Sequence, residues 1–255
     1  MTIELTFLGT GTSQGVPMIA CDCAVCQSHD PRDRRSRTSC LLSLDGHNVL
    51  IDATPELRLQ CLANDVRALE AVLITHTHAD HIFGLDDVRR FNQISGRPID
   101  IYAAEEHITL LEKVFGYARA DLAGGNPDLP QMVFHRIDGE FSLFGQRIIP
   151  LPLPHGRGRA MGYRLGSLAY CTDLSTMPEE VIEQLAGLDV LVLGALRPRP
   201  HPTHLSFEQA VRLARRIGAR HTYFVHMSHD VGHSDYEQQL GPGIALAHDG
   251  LTVTI

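Results

Sequence analysis

The stretch His76-Thr77-His78-Ala79-Asp80-His81 sets three imidazoles and one carboxylate within six residues, one residue after the apolar run Ala71-Val72-Leu73-Ile74. A strand ending there releases these side chains into a short loop, where backbone turns rather than helical periodicity set their directions. Neutral imidazoles and a carboxylate are the donors that suit zinc, manganese or iron. Crowded this tightly without a cation, they would carry a heavy electrostatic and solvation cost. The chain is therefore expected to end a buried strand at a metal site.

At 255 residues the chain fits one large domain, 1–255, long enough to bury a real core. Its formal charge of −8 argues against a broad nucleic-acid footprint, which needs clustered Lys and Arg. Arginines do gather at Arg32 to Arg37 and at Arg212 to Arg220, but the second group has helical spacing and reads as a solvated helix face. A small substrate is favoured. The N-terminal Thr2-Ile3-Glu4-Leu5-Thr6-Phe7-Leu8 reads as a strand rather than a signal peptide. No apolar run approaches the roughly 20 residues that span a bilayer, so no membrane partner and a cytoplasmic location are expected. Three of the six Cys lie in Cys21-Asp22-Cys23-Ala24-Val25-Cys26, too close for simple bridging, and read as metal ligands.

Alternation predicts strands at 2–8, 39–44 and 48–52, with Asp45-Gly46 as the hairpin turn between the last two. Helical spacing covers 55–69 and feeds the strand 71–74; a short helix is expected at 86–92, a strand at 99–103 and a helix at 105–115. The segment 119–130, with Gly124-Gly125-Asn126-Pro127, reads as an irregular insertion. Strands are expected again at 132–136, 140–144, 146–153, 161–165 and 167–172. A helix at 178–185, a strand at 189–193, a helix at 206–217 and strands at 221–226 and 251–255 complete the pattern. Many antiparallel strands in each half, closed by helices, predict two sheets packed face to face with helices outside.

His155, Asp173 and His226 each terminate an apolar or aromatic run, where a scaffold projects side chains toward one sheet edge. Singly, a strand-end His is a solvated loop residue and Asp173 a helix N-cap. Together with the six-residue cluster they make seven donors, one too many for a tetrahedral zinc. Seven suit two ions sharing a carboxylate, and Asp173 is the natural bridge because it offers two oxygens. This points to metal-assisted hydrolysis.

His76-x-His78-x-Asp80-His81 with His155, Asp173 and His226 resembles the metallo-β-lactamase superfamily, and the likeness covers nearly the whole chain. The resemblance implies an α+β fold, an αββα sandwich of two mixed β-sheets with helices outside. It further implies that His76, His78 and His155 hold one divalent ion (Mn2+ or Zn2+), that Asp80, His81 and His226 hold a second, and that Asp173 bridges them. Asp80 is then both ligand and catalytic carboxylate.

Leu8-Gly9-Thr10-Gly11-Thr12-Ser13-Gln14-Gly15-Val16-Pro17, the Cys cluster and His226-Met227-Ser228-His229 give a narrower resemblance, to the phosphoribosyl 1,2-cyclic phosphate phosphodiesterase family. That likeness implies a structural Zn2+ on Cys21, Cys23, Cys26 and His229. Three thiolates and one imidazole complete a closed tetrahedral set that contributes folding energy. His221, His233 and His248 are the competing fourth ligands. His204 matches a non-ligand His near the substrate, able to protonate a leaving alkoxide or to stabilise phosphoryl charge; otherwise it is a surface His ahead of a helix capped by Ser206. Asp86 and Asp87 are read either as partners orienting a ligating His or as favourable charges at a helix start. Gly11-Thr12-Ser13-Gln14-Gly15 matches a serine nucleophile elbow, but Val16-Pro17 forbids the helix such an elbow must enter. The glycines are expected to let the loop pass close to the metal site.

The expected activity is hydrolysis of a small cyclic phosphate of the ribose 1,2-cyclic phosphate type by a metal-bridging hydroxide. The expected partner is a small-molecule phosphodiester without nucleic acid, with pairing into a homodimer left open. A ribonuclease Z-like tRNA 3′-processing enzyme shares the motif but adds a long basic arm, for which Gly156-Arg157-Gly158-Arg159 is too short. A non-catalytic metal-binding scaffold is disfavoured because the donor set has no gaps.

Overall fold

Asp45 and Gly46 both adopt positive φ, 48° and 88°, the signature of a two-residue turn whose twist matches its flanking strands. In this computed structural model, which describes residues 2–255 and leaves Met1 outside the described residues, that turn joins the second and third strands of a seven-stranded sheet. The strands are β1 (Ile3–Gly9), β2 (Ser39–Leu44), β3 (His47–Ile51), β4 (Ala71–Leu73), β5 (Ile99–Ala104) and β6 (Met132–Ile137). A second seven-stranded sheet contains β7 (Phe141–Leu143), β8 (Gln146–His155), β9 (Gly158–Leu165), β10 (Leu168–Cys171), β11 (Val190–Gly194), β12 (His221–Val225) and β13 (Ile244–Leu246). The last strand, β14 (Thr252–Thr254), returns to the first sheet beside β1.

Both sheets are mixed. In the first, β14, β1, β2 and β3 pair antiparallel and β3 to β6 pair parallel. In the second, β7 to β10 pair antiparallel and β10 to β13 pair parallel. The sequence reading emphasised antiparallel strands; the parallel halves arise because helical crossovers must lie on a face of the sheet.

The inner faces share one core, with Leu5, Phe7, Leu42 and Ile51 from the first sheet against Tyr163, Leu165, Tyr170 and Val192 from the second. Outside the first sheet, Leu57, Val88, Phe91, Ile108 and Leu111 pack onto Leu50, Val72 and Ile101. They come from α1 (Leu57–Ala63), α3 (Arg89–Ser95), α4 (Glu105–Val114) and a 3-10 turn at Leu85–Val88, with the one-turn α2 (Ala79–Ile82) between. Outside the second sheet, α5 (Glu179–Glu183) and α6 (Phe207–Ile217) cover Leu191, Leu193 and Phe224. Ser206 caps α6 in a reciprocal box with Gln209, and Gly218 ends it at φ 70°. The result is the expected αββα sandwich.

Several boundaries differ from expectation. The helix expected at 55–69 stops at Ala63, and Asp65 at φ 52° turns the chain out of it. The helix expected at 86–92 is the 3-10 turn followed by α3. The short elements α2, β13 and α7 (His233–Glu237) were not anticipated, since three to five residues carry too little periodicity. Residues 119–130 hold turns and no helix or strand, as expected. No helix among the described residues is long and apolar enough to cross a membrane.

Candidate metal centre

The parallel halves of the two sheets deliver strand ends to one edge of the sandwich. Asp52 follows β3, β4 runs into Thr75-His76-Thr77-His78, β8 ends at His155, β10 precedes Asp173 and β12 precedes His226. Tyr163 Oη donates to the Ile74 carbonyl at 2.6 Å and Met161 N to the Thr75 carbonyl at 2.7 Å, locking the sheets together beside the cluster. Asp52, Asp173 and His226 all sit in the left-handed region, with φ of 62°, 54° and 61°. That conformation is costly for residues other than glycine and gathers at functional sites. Each chain leaves its strand there by an abrupt turn, which swings a buried side chain inward.

Two groups of donors result. The donor atoms of His76, His78, His155 and Asp173 lie within 4.8 Å of one another, as do those of Asp80, His81 and His226. Asp80 and His81 stand on α2 rather than in the expected irregular loop, because His78 starts a single helical turn closed by the His81 N–H on the His78 carbonyl, 3.0 Å. Asp173 joins the groups: its Oδ2 lies 3.6 Å from His76 Nε2, 3.8 Å from His155 Nε2 and 3.5 Å from His81 Nε2, and its Oδ1 lies 3.3 Å from His226 Nε2. Asp80 Oδ2 lies 3.3 Å from His81 Nε2 and 3.7 Å from His226 Nε2.

Three of the outer ring nitrogens are spoken for, while His226 Nδ1 is buried without a hydrogen bond. His155 Nδ1 faces the Thr203 carbonyl at 2.9 Å, His81 Nδ1 faces Asp52 Oδ2 at 2.7 Å, and His76 Nδ1 faces Thr75 Oγ1 at 3.0 Å. Donation outward leaves the Nε2 lone pairs pointing inward, as metal-ligating histidines require. The Nε2 atoms of His81 and His226 are buried and make no hydrogen bond. Buried nitrogens without partners, aimed at carboxylates across a shared centre, fit divalent cations.

The electrostatics keep those carboxylates charged; burial works to lower His81, but Asp52 and Asp173 outweigh it and raise the ring well above the usual imidazole range. Burial works to raise the Asp173 carboxyl, but His226, His81 and His76 outweigh it and hold Asp173 well below the usual carboxylate range. Burial likewise opposes ionisation of Asp80, and the facing His226 and His81 rings win, so it too stays a carboxylate. Burial pushes His76 down, and the neighbouring His81 adds to this.

Asp52 is the residue that sequence reasoning missed. It is fully buried and accepts from Thr75 N at 2.8 Å, Thr75 Oγ1 at 2.7 Å and His81. Of the two readings of Asp86 and Asp87, the structure fits the helix start: both lie in the first turn of Leu85–Val88, where Asp86 meets the Tyr117 hydroxyl at 2.7 Å and Arg89 at 3.5 Å and Asp87 lines a separate surface cleft with Arg89 and Arg90. The available signal was the one that flagged Asp173, an Asp closing an apolar strand.

His204 reaches the centre. Its ring stacks on His226 at 4.9 Å and meets His155 edge-on at 4.9 Å. Burial, then the neighbouring His226, pull it down to about 3, so it enters as a neutral imidazole. Ser206 is the helix cap two residues on, so the two readings of this segment coexist.

The second cluster lies at the end of the N-terminal loop. Gly9 permits its course: a Cβ there would sit 2.0 Å from the Arg37 carbonyl. The close approach is thus to the 35–37 segment rather than to the metal donors. The Thr12 N–H donates to the Met227 carbonyl and the Met227 N–H to the Thr10 carbonyl, laying the loop beside the 226–229 segment. No helix follows Ser13, consistent with the rejected nucleophile elbow. His229 Nδ1 lies 3.1, 3.4 and 3.6 Å from the Sγ atoms of Cys21, Cys23 and Cys26. A zinc with Zn–S of about 2.3 Å and Zn–N of about 2.0 Å places these atoms about 3.5 Å apart. Among the competitors, His221 lies exposed at the start of β12, and His233 and His248 face each other elsewhere at 6.1 Å.

The model of the beta-lactamase superfamily domain family matches residues 47–227. The chain is 46% identical to a crystal structure of a diphosphatase from the PhnP family, which superposes with a TM-score of 0.93 over 100% of this chain and 98% of that one. It is 36% identical to an octanoyltransferase of Porphyromonas gingivalis across 97% of its own length, and spans about half (51%) of that relative. A ribonuclease Z of Methanococcus maripaludis is 30% identical over 47% of this chain and 35% of that protein. With the sandwich and the paired donor groups in place, the chain belongs to the metallo-β-lactamase branch of the beta-lactamase superfamily.

Proposed function

We propose that the chain is a metal-dependent hydrolase that opens a phosphodiester-type P–O bond in a small molecule, a cyclic phosphate of the ribose 1,2-cyclic phosphate type. The observation that carries this reading is Asp173, whose two oxygens lie 3.3–3.8 Å from rings of both donor groups. His76, His78 and His155 would hold one divalent ion, Asp80, His81 and His226 the other, and Asp173 both. Two such ions supply Lewis acidity and a water acidic enough to attack phosphorus at neutral pH.

The protein's own groups do the rest. Asp52 and the Thr203 carbonyl hold the His81 and His155 rings in the tautomer that presents Nε2 inward. Asp80 and Asp173 stay ionised and confine positive charge to the floor of the site. His204, neutral at rest, stands where an arriving phosphate would stabilise its protonated form. From there it can hydrogen-bond the leaving sugar oxygen and pass it a proton. The adjoining cleft of about 590 Å3 has the capacity of a small-molecule site.

A P–O–P linkage is the second reading, favoured by the 46% identity to a diphosphatase. In both, phosphorus carries two bridging oxygens, one of which leaves. The test is turnover by protein loaded with zinc or manganese on ribose 1,2-cyclic phosphate, a linear dinucleotide, a dinucleoside diphosphate, a thioester and a β-lactam. Hydrolysis of the cyclic phosphate is expected. Turnover of the dinucleotide or the diphosphate alone overturns the cyclic version. Inactivity on every substrate with both ions bound favours a binding scaffold, and tight, salt-sensitive tRNA binding would favour the ribonuclease Z reading over the charge argument.

A further inference from the structure

Three prolines, Pro198, Pro200 and Pro202, stand in the loop that carries Thr203 and His204. A proline has no backbone N–H, so few main-chain donors remain to order this segment. Its ends are fixed by backbone pairing: the Leu196 N–H donates to the Leu205 carbonyl at 3.1 Å and the Phe207 N–H to the Arg197 carbonyl at 2.8 Å. Between those ties, side chains hold the loop. Arg197 Nη2 donates to the Pro200 carbonyl at 3.4 Å. His201 Nδ1 accepts from the Thr203 N–H at 3.3 Å and from the Thr203 hydroxyl at 3.1 Å. This is the bond of an Asx turn, a side-chain acceptor on the N–H two residues on, with an imidazole nitrogen in place of a carboxamide oxygen. Burial, then the nearby Arg197 and His226, hold His201 below the usual imidazole range, which keeps Nδ1 an acceptor. The Thr203 carbonyl in turn faces His155 Nδ1 at 2.9 Å. The His201 ring lies 5.1 Å from the ring of His204, which lies 4.9 Å from those of His155 and His226. His201 itself belongs to no group of metal donors among the described residues and does not line the cleft of about 590 Å3. Its route to the chemistry runs through Thr203.

We propose that His201 is a positioning residue for the metal centre, fixing Thr203 so that its carbonyl orients His155 and so that His204 is seated against His226. Two bonds to one nitrogen hold both the backbone and the side chain of Thr203. The Thr203 carbonyl and the His204 N–H belong to one planar peptide unit, so a single rotation of that unit moves both. Losing the His201 acceptor therefore loosens the partner of a metal donor and the seat of His204 together. This inference rests on the hydrolase reading above.

The experiment compares wild type with His201→Ala, His201→Asn and His201→Gln. Asn places an oxygen where Nδ1 stands, and Gln places one where Nε2 stands. Zn2+ affinity is measured by competition with a chelator, and kcat and KM on ribose 1,2-cyclic phosphate and a dinucleoside diphosphate. His201→Ala should bind Zn2+ about tenfold more weakly. Its kcat should fall about tenfold or more with KM within about twofold of wild type, while the melting temperature stays within about 4 °C. His201→Asn should recover most of both losses and His201→Gln neither. Wild-type Zn2+ affinity and kcat in His201→Ala overturn the role, whatever its melting temperature. Recovery by Gln and not by Asn overturns it too, because the function would then lie with Nε2 rather than with the bond to Thr203. Inactivity of all four proteins on both substrates counts against the hydrolase reading instead, and the order of Zn2+ affinities then decides the role of His201 alone.

Discussion

Asp52 faces His81 Nδ1 at 2.7 Å from the end of β3, and the same carboxylate accepts the Thr75 hydroxyl that contacts His76. One fully buried carboxylate thus orients a ring from each donor group. Asp52→Asn keeps the shape but removes the charge that fixes the His81 tautomer. The variant should bind divalent ions about 10–100-fold more weakly, read by competition with a chelator. Metal affinity equal to wild type would remove Asp52 from this role.

His78 contributes differently, because it is exposed and stands at the mouth of the cleft. His78→Ala removes a proposed ligand without opening a cavity, so stability should stay within about 0.5 kcal/mol. Turnover should fall by more than the roughly 100-fold that loss of an outer partner costs. Retained turnover at full metal content would refute its role.

What the sequence made legible was local. The six residues from His76 to His81 announce a metal site, and apolar runs ending in His155, Asp173 and His226 announce the strand ends that complete it. What stayed hidden depended on the third dimension. Asp52 reads as the tail of a strand until its positive φ turns it inward, whereas Asp86 and Asp87 open a helical turn, one of the two readings the sequence allows. His229 is chosen among four histidines by the family resemblance and not by spacing, because Cys26 is 203 residues away; the backbone pairing of Thr10 and Thr12 with Met227 helps bring them together. The four residues of α2 were too few to show a period.

Acid should loosen the segment between the two metal clusters. Asp30 accepts from Arg32 Nη2 at 2.7 Å, Arg32 N at 2.9 Å and Ser234 Oγ at 3.1 Å, and the Arg32 contacts hold its carboxyl well below the usual range. A depressed folded-state pKa contributes stability that is complete above the unfolded value, near 3.8, and is lost as pH falls below it. Asp30→Asn should therefore lower stability at pH 7 by no more than about 1 kcal/mol, given the partial exposure of Arg32. Denaturant melts should show that gap narrowing below about pH 4. A gap that widens in acid would contradict the assignment.

The two clusters should separate under mutation, because different bonds hold them. Cys23 Sγ accepts from the Cys26 N–H at 3.4 Å, which outweighs burial and draws the thiol down to about 7, ready to ligate as thiolate. Cys23→Ser cannot supply that thiolate, so zinc content should fall by about one equivalent per chain. Melting should fall by several degrees, at about 2–4 °C per kcal/mol for a chain near this size. Activity should survive below the new melting point. His226 lies only three residues before His229, but the Met227 N–H on the Thr10 carbonyl at 3.0 Å and the Ser228 N–H on the Leu196 carbonyl at 2.8 Å anchor that segment independently of the thiolates. Loss of turnover with unchanged melting would mean instead that the Cys21, Cys23, Cys26 and His229 cluster takes part in the chemistry.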